Sequence, residues 1–169
     1  VTDNTIETRV KTDEGEMHLQ EFWVKHRGRN KVEGIQYIGS EKARPSPEAI
    51  NAIQNSKLVI IAPANPYTSI GPVLAIKGIR KELMKNRRKV VAISPIIGNA
   101  ALSGPAAKYM ESAGNEVSAY GVAKMYANVC SRIVIDTKDR MQTKKIETLN
   151  MQVYDTKIKM TNKKTEDAL

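Results

Sequence analysis

Asn65, Ser69 and Gly71 lie within Ala64-Asn-Pro-Tyr-Thr-Ser-Ile-Gly-Pro72, directly behind an apolar run, Leu58 to Ala62, that Pro63 cuts short. An amide side chain that donates and accepts, a hydroxyl, and a glycine that lets another molecule approach the backbone are the equipment of a polar ligand site. Ser69 suits a helix cap, and Pro72 suits a first helical turn, where its missing N–H costs nothing. The pattern predicts a strand, a loop and a helix whose first amides face the strand's carboxyl end. In an open parallel sheet that is where ligands bind, and a helix N-terminus there favours an anion such as phosphate. A second copy of the device follows: Val90-Val-Ala-Ile-Ser94, an irregular stretch through Pro95 and Gly98, then Ser103-Gly-Pro105 ahead of a helix from Ala106 to Ala113. Ser94 and Gly98 repeat the hydroxyl and the close-approach glycine. Two helix starts are therefore expected above adjacent strand ends, opening on one crevice across which a diphosphate could lie. The competing reading keeps Asn65-Pro66 as an ordinary turn and the serines as caps alone.

Other chemistries find little support. His18 and His26 stand on different elements and match no zinc-ligand spacing. The Gly-x-Ser-x-Gly elbow, the Walker loop and the Gly-x-Gly-x-x-Gly fingerprint are missing. The single cysteine, Cys130, has no evident catalytic partner and reads as a small buried hydrophobe. Asp136 and Asp139 fall just past a strand, where a carboxylate could meet a metal or a sugar, although a turn-forming Asp is commoner.

The elements that must position these residues follow from periodicity. Thr5 to Thr12, a turn at Asp13-Glu-Gly-Glu16 and Met17 to Val24 read as a β-hairpin, and Lys25 to Lys31 as a basic, solvated loop. Val32 to Ile38 is a further strand. Ser46 as cap and Pro47 at the first helical position open a short helix ending near Asn55-Ser56. The helix after Pro72 shows Val73, Ile76, Ile79 and Leu83 on one face and runs to the basic residues at 85–89. Strand, helix and strand from Leu58 to Ser94 make a βαβ unit. Later come a link at Glu116 to Ala119, a helix from Gly121 to Val129, and a strand from Arg132 to Asp136. Beyond these, Met151 to Tyr154 is a possible edge strand in a polar, Lys-rich tail.

The predicted fold is α/β: a Rossmann-like, mostly parallel sheet with flanking helices plus a β-hairpin appendage. Its divisions are residues 1–40 for the appendage, 41–140 for a partial Rossmann-like core, and 141–169 for a weakly structured tail or edge strand. A length of 169 residues suits one globular unit. No apolar run approaches the roughly 20 residues that span a bilayer, and no signal pattern opens the chain, so a cytoplasmic address is expected. The net charge of +9 comes from positive residues spread along the chain. With no recognisable nucleic-acid module, a solvated basic surface is the preferred reading over nucleic-acid binding. The chain opens on Val1 rather than Met, which suggests a piece of a longer polypeptide with exposed strand edges and hence self-association as a homo-oligomer.

Ile61-Ala-Pro-Ala-Asn-Pro-Tyr-Thr-Ser-Ile-Gly-Pro72, Val91-Ala-Ile-Ser-Pro-Ile-Ile-Gly-Asn99 and Ser103-Gly-Pro-Ala-Ala-Lys108 resemble the phospholactate transferase family that builds the deazaflavin coenzyme of methanogens and actinobacteria. Gln20-Glu-Phe-Trp-Val24, Ser118-Ala-Tyr-Gly-Val-Ala123 and Val134-Ile-Asp136 extend the similarity, which is collinear from about Thr12 to Asp139. Ala64 departs from a family Ser, Ala107 from a polar or Gly position, and Ser131 from a frequent acid. The resemblance implies transfer of phospholactate, or a related three-carbon phospho-acid, from a guanosine diphosphate-linked donor to a deazaflavin hydroxyl, with release of GMP. It also implies Mg2+, associated with acidic residues that follow the family's opening Gly-rich strand-turn-helix, upstream of Val1. Within this chain the expected nucleotide-proximal residues are Asn65, Ser69, Ile70, Gly71, Ser94 and Gly98, with no residue assigned as catalytic and no metal ligand named. The alternative is a non-catalytic regulator that binds a nucleotide or nucleotide-sugar, since gluconeogenesis factors share this fold.

Overall fold

A four-stranded parallel sheet in the order β4 (Val59–Ile61), β5 (Val90–Ile93), β8 (Arg132–Asp136), β9 (Gln152–Thr156) forms the centre of the molecule. Its registers run Val59 opposite Val90, Val91 opposite Arg132, and Ile133 opposite Val153. The computed structural model describes residues 1–102 and 104–159. The tail that sequence left open thus contributes an edge strand, parallel to its neighbour, while residues 160–169 lie outside the described residues. The Rossmann-like expectation holds.

Helices cover this sheet by burying one stripe each. Helix α2 (Pro47–Asn55) starts as predicted, with the Ser46 side chain accepting from the Ala49 N–H and Pro47 in the first turn. Helix α6 (Ala119–Tyr126) starts two residues before the expected Gly121, because Ser118 caps it by accepting the Gly121 N–H at 3.0 Å. The single helix expected after Pro72 is two, α3 (Ile70–Ala75) and α4 (Lys77–Lys85), broken at Ile76 with ψ 105°. Leu74 and Ile76 are both buried. Residues two apart face different sides of a continuous helix, so the break lets both enter the core. Helix α5 (Ala106–Ser112), helix α7 (Thr143–Glu147) and a 3-10 turn at Thr137–Gln142 complete the layer. Cys130 is fully buried, as expected, and burial pushes its thiol up to about 12.

The appendage is a three-stranded antiparallel sheet, order β2 (Gly15–His18), β1 (Glu7–Thr12), β3 (Val32–Ile38). Its second arm is shorter than the expected strand through Val24. At His18 the ring Nδ1 accepts the Gln20 N–H and caps helix α1 (Leu19–Val24), which turns Phe22 wholly inward and leaves Val24 exposed. The interior of this sheet is closed from outside it. Tyr109 of α5 is fully buried with its ring centroid 6.3 Å from Phe22 and 6.3 Å from Tyr67. The basic loop at 25–31 is likewise tied to α5, by the Lys108 ammonium donating to the Gly28 carbonyl at 2.7 Å. On the far side, β4 is an edge strand with Leu58 and Ile60 exposed beside an apolar groove. Among the described residues no helix is long and apolar enough to cross a membrane.

Candidate functional site

Two loops leave the carboxyl ends of the neighbouring strands β4 and β5. In the first, Asn65 rather than Ser69 does the capping. The Asn65 Oδ1 accepts the N–H groups of Tyr67 at 3.0 Å and Thr68 at 3.2 Å, and its carbonyl accepts those of Ser69 and Ile70. Pro66, one residue on, sits where a first-turn proline belongs. The chain is therefore already turning when α3 begins, and Pro72, its third residue, stands in the first turn as expected, where its missing N–H costs nothing. Ser69 makes no side-chain cap bond, which corrects its expected role and leaves its hydroxyl available. The local signal was present: Asn is at least as good a cap as Ser, and Asn-Pro places cap and first helical residue together.

The second loop is not irregular. β6 (Ile96–Ile97) and β7 (Ala100–Ala101) form a small antiparallel hairpin whose two-residue turn, Gly98-Asn99, has φ of 55° and 64°. Two left-handed residues in succession match a type I′ turn, and Gly-Asn is one of the pairs that favours it. Ser94 is fully buried. Its hydroxyl donates to the Ile96 carbonyl at 3.0 Å and accepts the Ile96 N–H at 3.1 Å, fixing the corner between β5 and β6. The Gly98 N–H donates to the Asp139 carboxylate at 3.1 and 3.2 Å. Asp139 also accepts from the Gln142 Nε2 at 3.1 Å, and the Gln142 Oε1 accepts the Tyr120 N–H at 2.8 Å. Burial raises the Asp139 pKa from its ordinary value, with the Gly98 bond working against it. Asp136, expected as a turn-former, accepts the N–H groups of Lys138 at 3.0 Å and Ile158 at 3.1 Å.

Between the two loops lies a crevice of about 320 Å³, lined by Asn65, Thr68 and Ser69 from the first and by Pro95, Leu102 and Pro105 from the second. That volume is in the range of small-molecule sites. Both loops thus open on one space, and of the six expected residues Asn65 and Ser69 line it. The other four are engaged elsewhere. Ile70 packs on the sheet's core, and its amide is spent on Asn65. Gly71 faces Tyr37, whose hydroxyl occupies the place a Cβ would take, so the close approach there is made by the protein itself. Ser94 is enclosed, and the Gly98 amide is bonded to Asp139. Thr68 is a lining residue that sequence reasoning passed over. Ser103, the expected cap of α5, lies outside the described residues, and Pro105 precedes that helix without a side-chain cap bond.

The crevice carries neither a carboxylate nor a cation among its described lining residues. An anion meets hydroxyl and amide groups there, with no negative side chain to repel it. Magnesium is usually bound through one or two carboxylates together with substrate phosphates and water. Among the described residues no group of three His, Cys, Asp or Glu side chains could hold a metal, and Asp136 and Asp139 are committed to backbone amides. The described residues of this crevice therefore do not fit Mg2+.

Comparison with known proteins converges on one group. Residues 1–167 match the family described as 2-phospho-L-lactate transferase CofD. The chain is 44% identical over 140 residues to the 2-phospho-L-lactate transferase of Methanosarcina mazei, covering 83% of this chain and 46% of that protein. It is 45% identical over 151 residues to the enzyme of the same name from Methanocaldococcus jannaschii, covering 86% and 48%. It spans about half the length of these curated relatives. Among solved structures it is similar in fold to a protein of the UPF0052 family from Bacillus halodurans, at TM-score 0.60 and 14% identity, covering 98% of this chain and 59% of that one. With the match running almost end to end, the chain belongs to the 2-phospho-L-lactate transferase CofD family.

Proposed function

We propose that this chain is the donor-nucleotide side of a transferase. The enzyme moves phospholactate, or a related three-carbon phospho-acid, from a guanosine diphosphate-linked donor to a deazaflavin hydroxyl and releases GMP. The observation that carries this reading is the shared crevice at the carboxyl ends of β4 and β5, in a chain whose relatives bear the transferase name. Ligands of open α/β sheets lie at that edge. The Ser69 and Thr68 hydroxyls and the Asn65 amide are the groups that would orient the diphosphate. Displacement at phosphorus asks chiefly for such positioning, since attacking and leaving oxygens must be held in line. The described residues offer the crevice no general base, so the proposed role is binding and alignment. Residues of the kind that supply a base or metal would come from the part of the family fold that this chain does not span. The exposed edge of β4 supports the further proposal that the chain self-associates.

Calorimetric titration of GDP into the chain tests the binding half. Saturable binding that Ser69→Ala and Asn65→Ala both weaken supports it; no binding at millimolar GDP, or binding indifferent to both changes, removes it. In a guanine-nucleotide-dependent transfer assay the chain alone is expected to show no turnover.

A further inference from the structure

One carbonyl of the first loop is held from outside it. The Tyr37 hydroxyl, on β3 of the appendage, donates to the Tyr67 carbonyl at 2.6 Å across 30 residues of sequence. Tyr37 stands opposite Thr8 in the ladder of β1 and β3, so the appendage sheet sets its position. The hydroxyl reaches Tyr67 only because residue 71 is glycine. A Cβ there would overlap the phenol oxygen, and it would stand 2.7 Å from the Tyr37 Cζ and 3.1 Å from the Pro66 carbonyl oxygen. Gly71 lies in α3 and its φ is not positive, so the position asks for room rather than for backbone freedom. Burial raises the Tyr37 pKa, with the Tyr67 phenol adding to the effect, and at neutral pH the group is an O–H donor.

Tyr67 is gripped a second time at its side chain. Its hydroxyl accepts from the Asn115 Nδ2 at 2.7 Å, and its ring lies against that of Tyr109, with centroids 6.3 Å apart. The next two residues, Thr68 and Ser69, line the crevice. Groups that orient a ligand do so only when the residues behind them fix their positions. The loop satisfies its own amides through Asn65, yet its place relative to the rest of the molecule is set by a phenol from another layer.

We infer that Tyr37 is a positioning residue for the crevice: seated in the space left at Gly71, it holds the Tyr67 carbonyl and thereby fixes the Thr68-Ser69 segment against which the nucleotide lies. The inference rests on the nucleotide reading of that crevice. It gives the three-stranded appendage a part in binding, and it gives Gly71, expected from sequence to admit a ligand, the task of admitting this phenol. A bond of purely structural value would lower stability and leave affinity alone.

Tyr37→Phe keeps the ring and deletes the hydroxyl. In the nucleotide-free chain, hydrogen exchange at the Tyr67, Thr68, Ser69 and Ile70 amides, followed by NMR, should quicken about fivefold, the factor one ordinary hydrogen bond carries. The dissociation constant for GDP, measured by calorimetry, should rise by about the same factor. Ile146→Val, a small deletion at the buried face of α7, should lower the thermal midpoint comparably and alter neither readout. Gly71→Ala combined with Tyr37→Phe should recover part of the midpoint lost by Gly71→Ala alone, yet bind GDP no better than Tyr37→Phe. The inference is overturned if those amides exchange in Tyr37→Phe as they do in the parent, or if Ile146→Val quickens them equally. GDP binding by Tyr37→Phe or by the double variant as tight as the parent's overturns it too. A parent chain that binds no GDP removes the nucleotide reading instead, and the exchange rates then decide for or against the brace.

Discussion

After β4 and after β5 the chain meets the same task, leaving a parallel strand and reaching a helix, with similar residues. The first loop solves it locally. Asn65 takes four successive amides within five residues, through its side chain and its carbonyl, and Ser69, which lines the crevice, makes no side-chain cap bond. The second borrows from a distance: its turn is pinned by Asp139, which follows the neighbouring strand β8 and is itself held by Gln142. A loop that satisfies its own backbone can present its remaining polar groups to a ligand. A loop whose amide is taken by a buried carboxylate serves instead as a fixed wall. The difference lies in where the acceptor comes from.

The glycines that follow the two strands, Gly71 in α3 and Gly98 in its turn, separate most sharply under substitution. Gly71→Ala drives a methyl into the Tyr37 hydroxyl and should cost about 3 kcal/mol, the upper end for overpacking, measured as a shift in denaturant midpoint. Adding Tyr37→Phe should restore part of that loss. Asn65→Ala removes the acceptor for two amides and should cost about 1–2 kcal/mol, with GDP affinity falling in step. Gly98→Ala meets open space, so only its left-handed backbone is penalised, and the expected loss is about 1 kcal/mol by the same measurement. A larger loss at Gly98 than at Gly71 would reverse the comparison. The smallest effect concerns pH. Because the folded Asp139 has a raised pKa, its favourable contribution is present below the ordinary carboxylate range and is lost as pH rises through the folded value. Asp139→Asn should therefore gain on the parent between pH 4 and pH 7 in paired denaturation curves; a difference constant across that range contradicts the assignment.

Much of the architecture could be read from periodicity and caps. Ser46-Pro47 fixed the start of α2, and the apolar runs at 58–62, 90–94 and 132–136 contain β4, β5 and β8. Periodicity could not see that Leu74 and Ile76 would both be buried, since that needs the sheet beneath them and a broken helix above it. Nor could it distinguish a strand from a helix at Leu19 to Val24, where a histidine cap decides. Within the candidate site, Asn65 was found by its chemistry, although its capping role was assigned to Ser69. Gly98 was read as open to a ligand because its acceptor, Asp139, stands far along the chain and becomes a neighbour only when β8 pairs with β5. The Gly98-Asn99 turn was legible and was passed over.

Tyr109 gives the molecule a keystone. Its ring sits in the middle of a layer built by the first forty residues, yet it is delivered by a helix that follows β5. The appendage cannot keep its own lining once that helix departs, so calorimetric melting of the two layers should coincide in one peak. A nick in the basic loop would then leave both fragments clasped until the whole chain gives way.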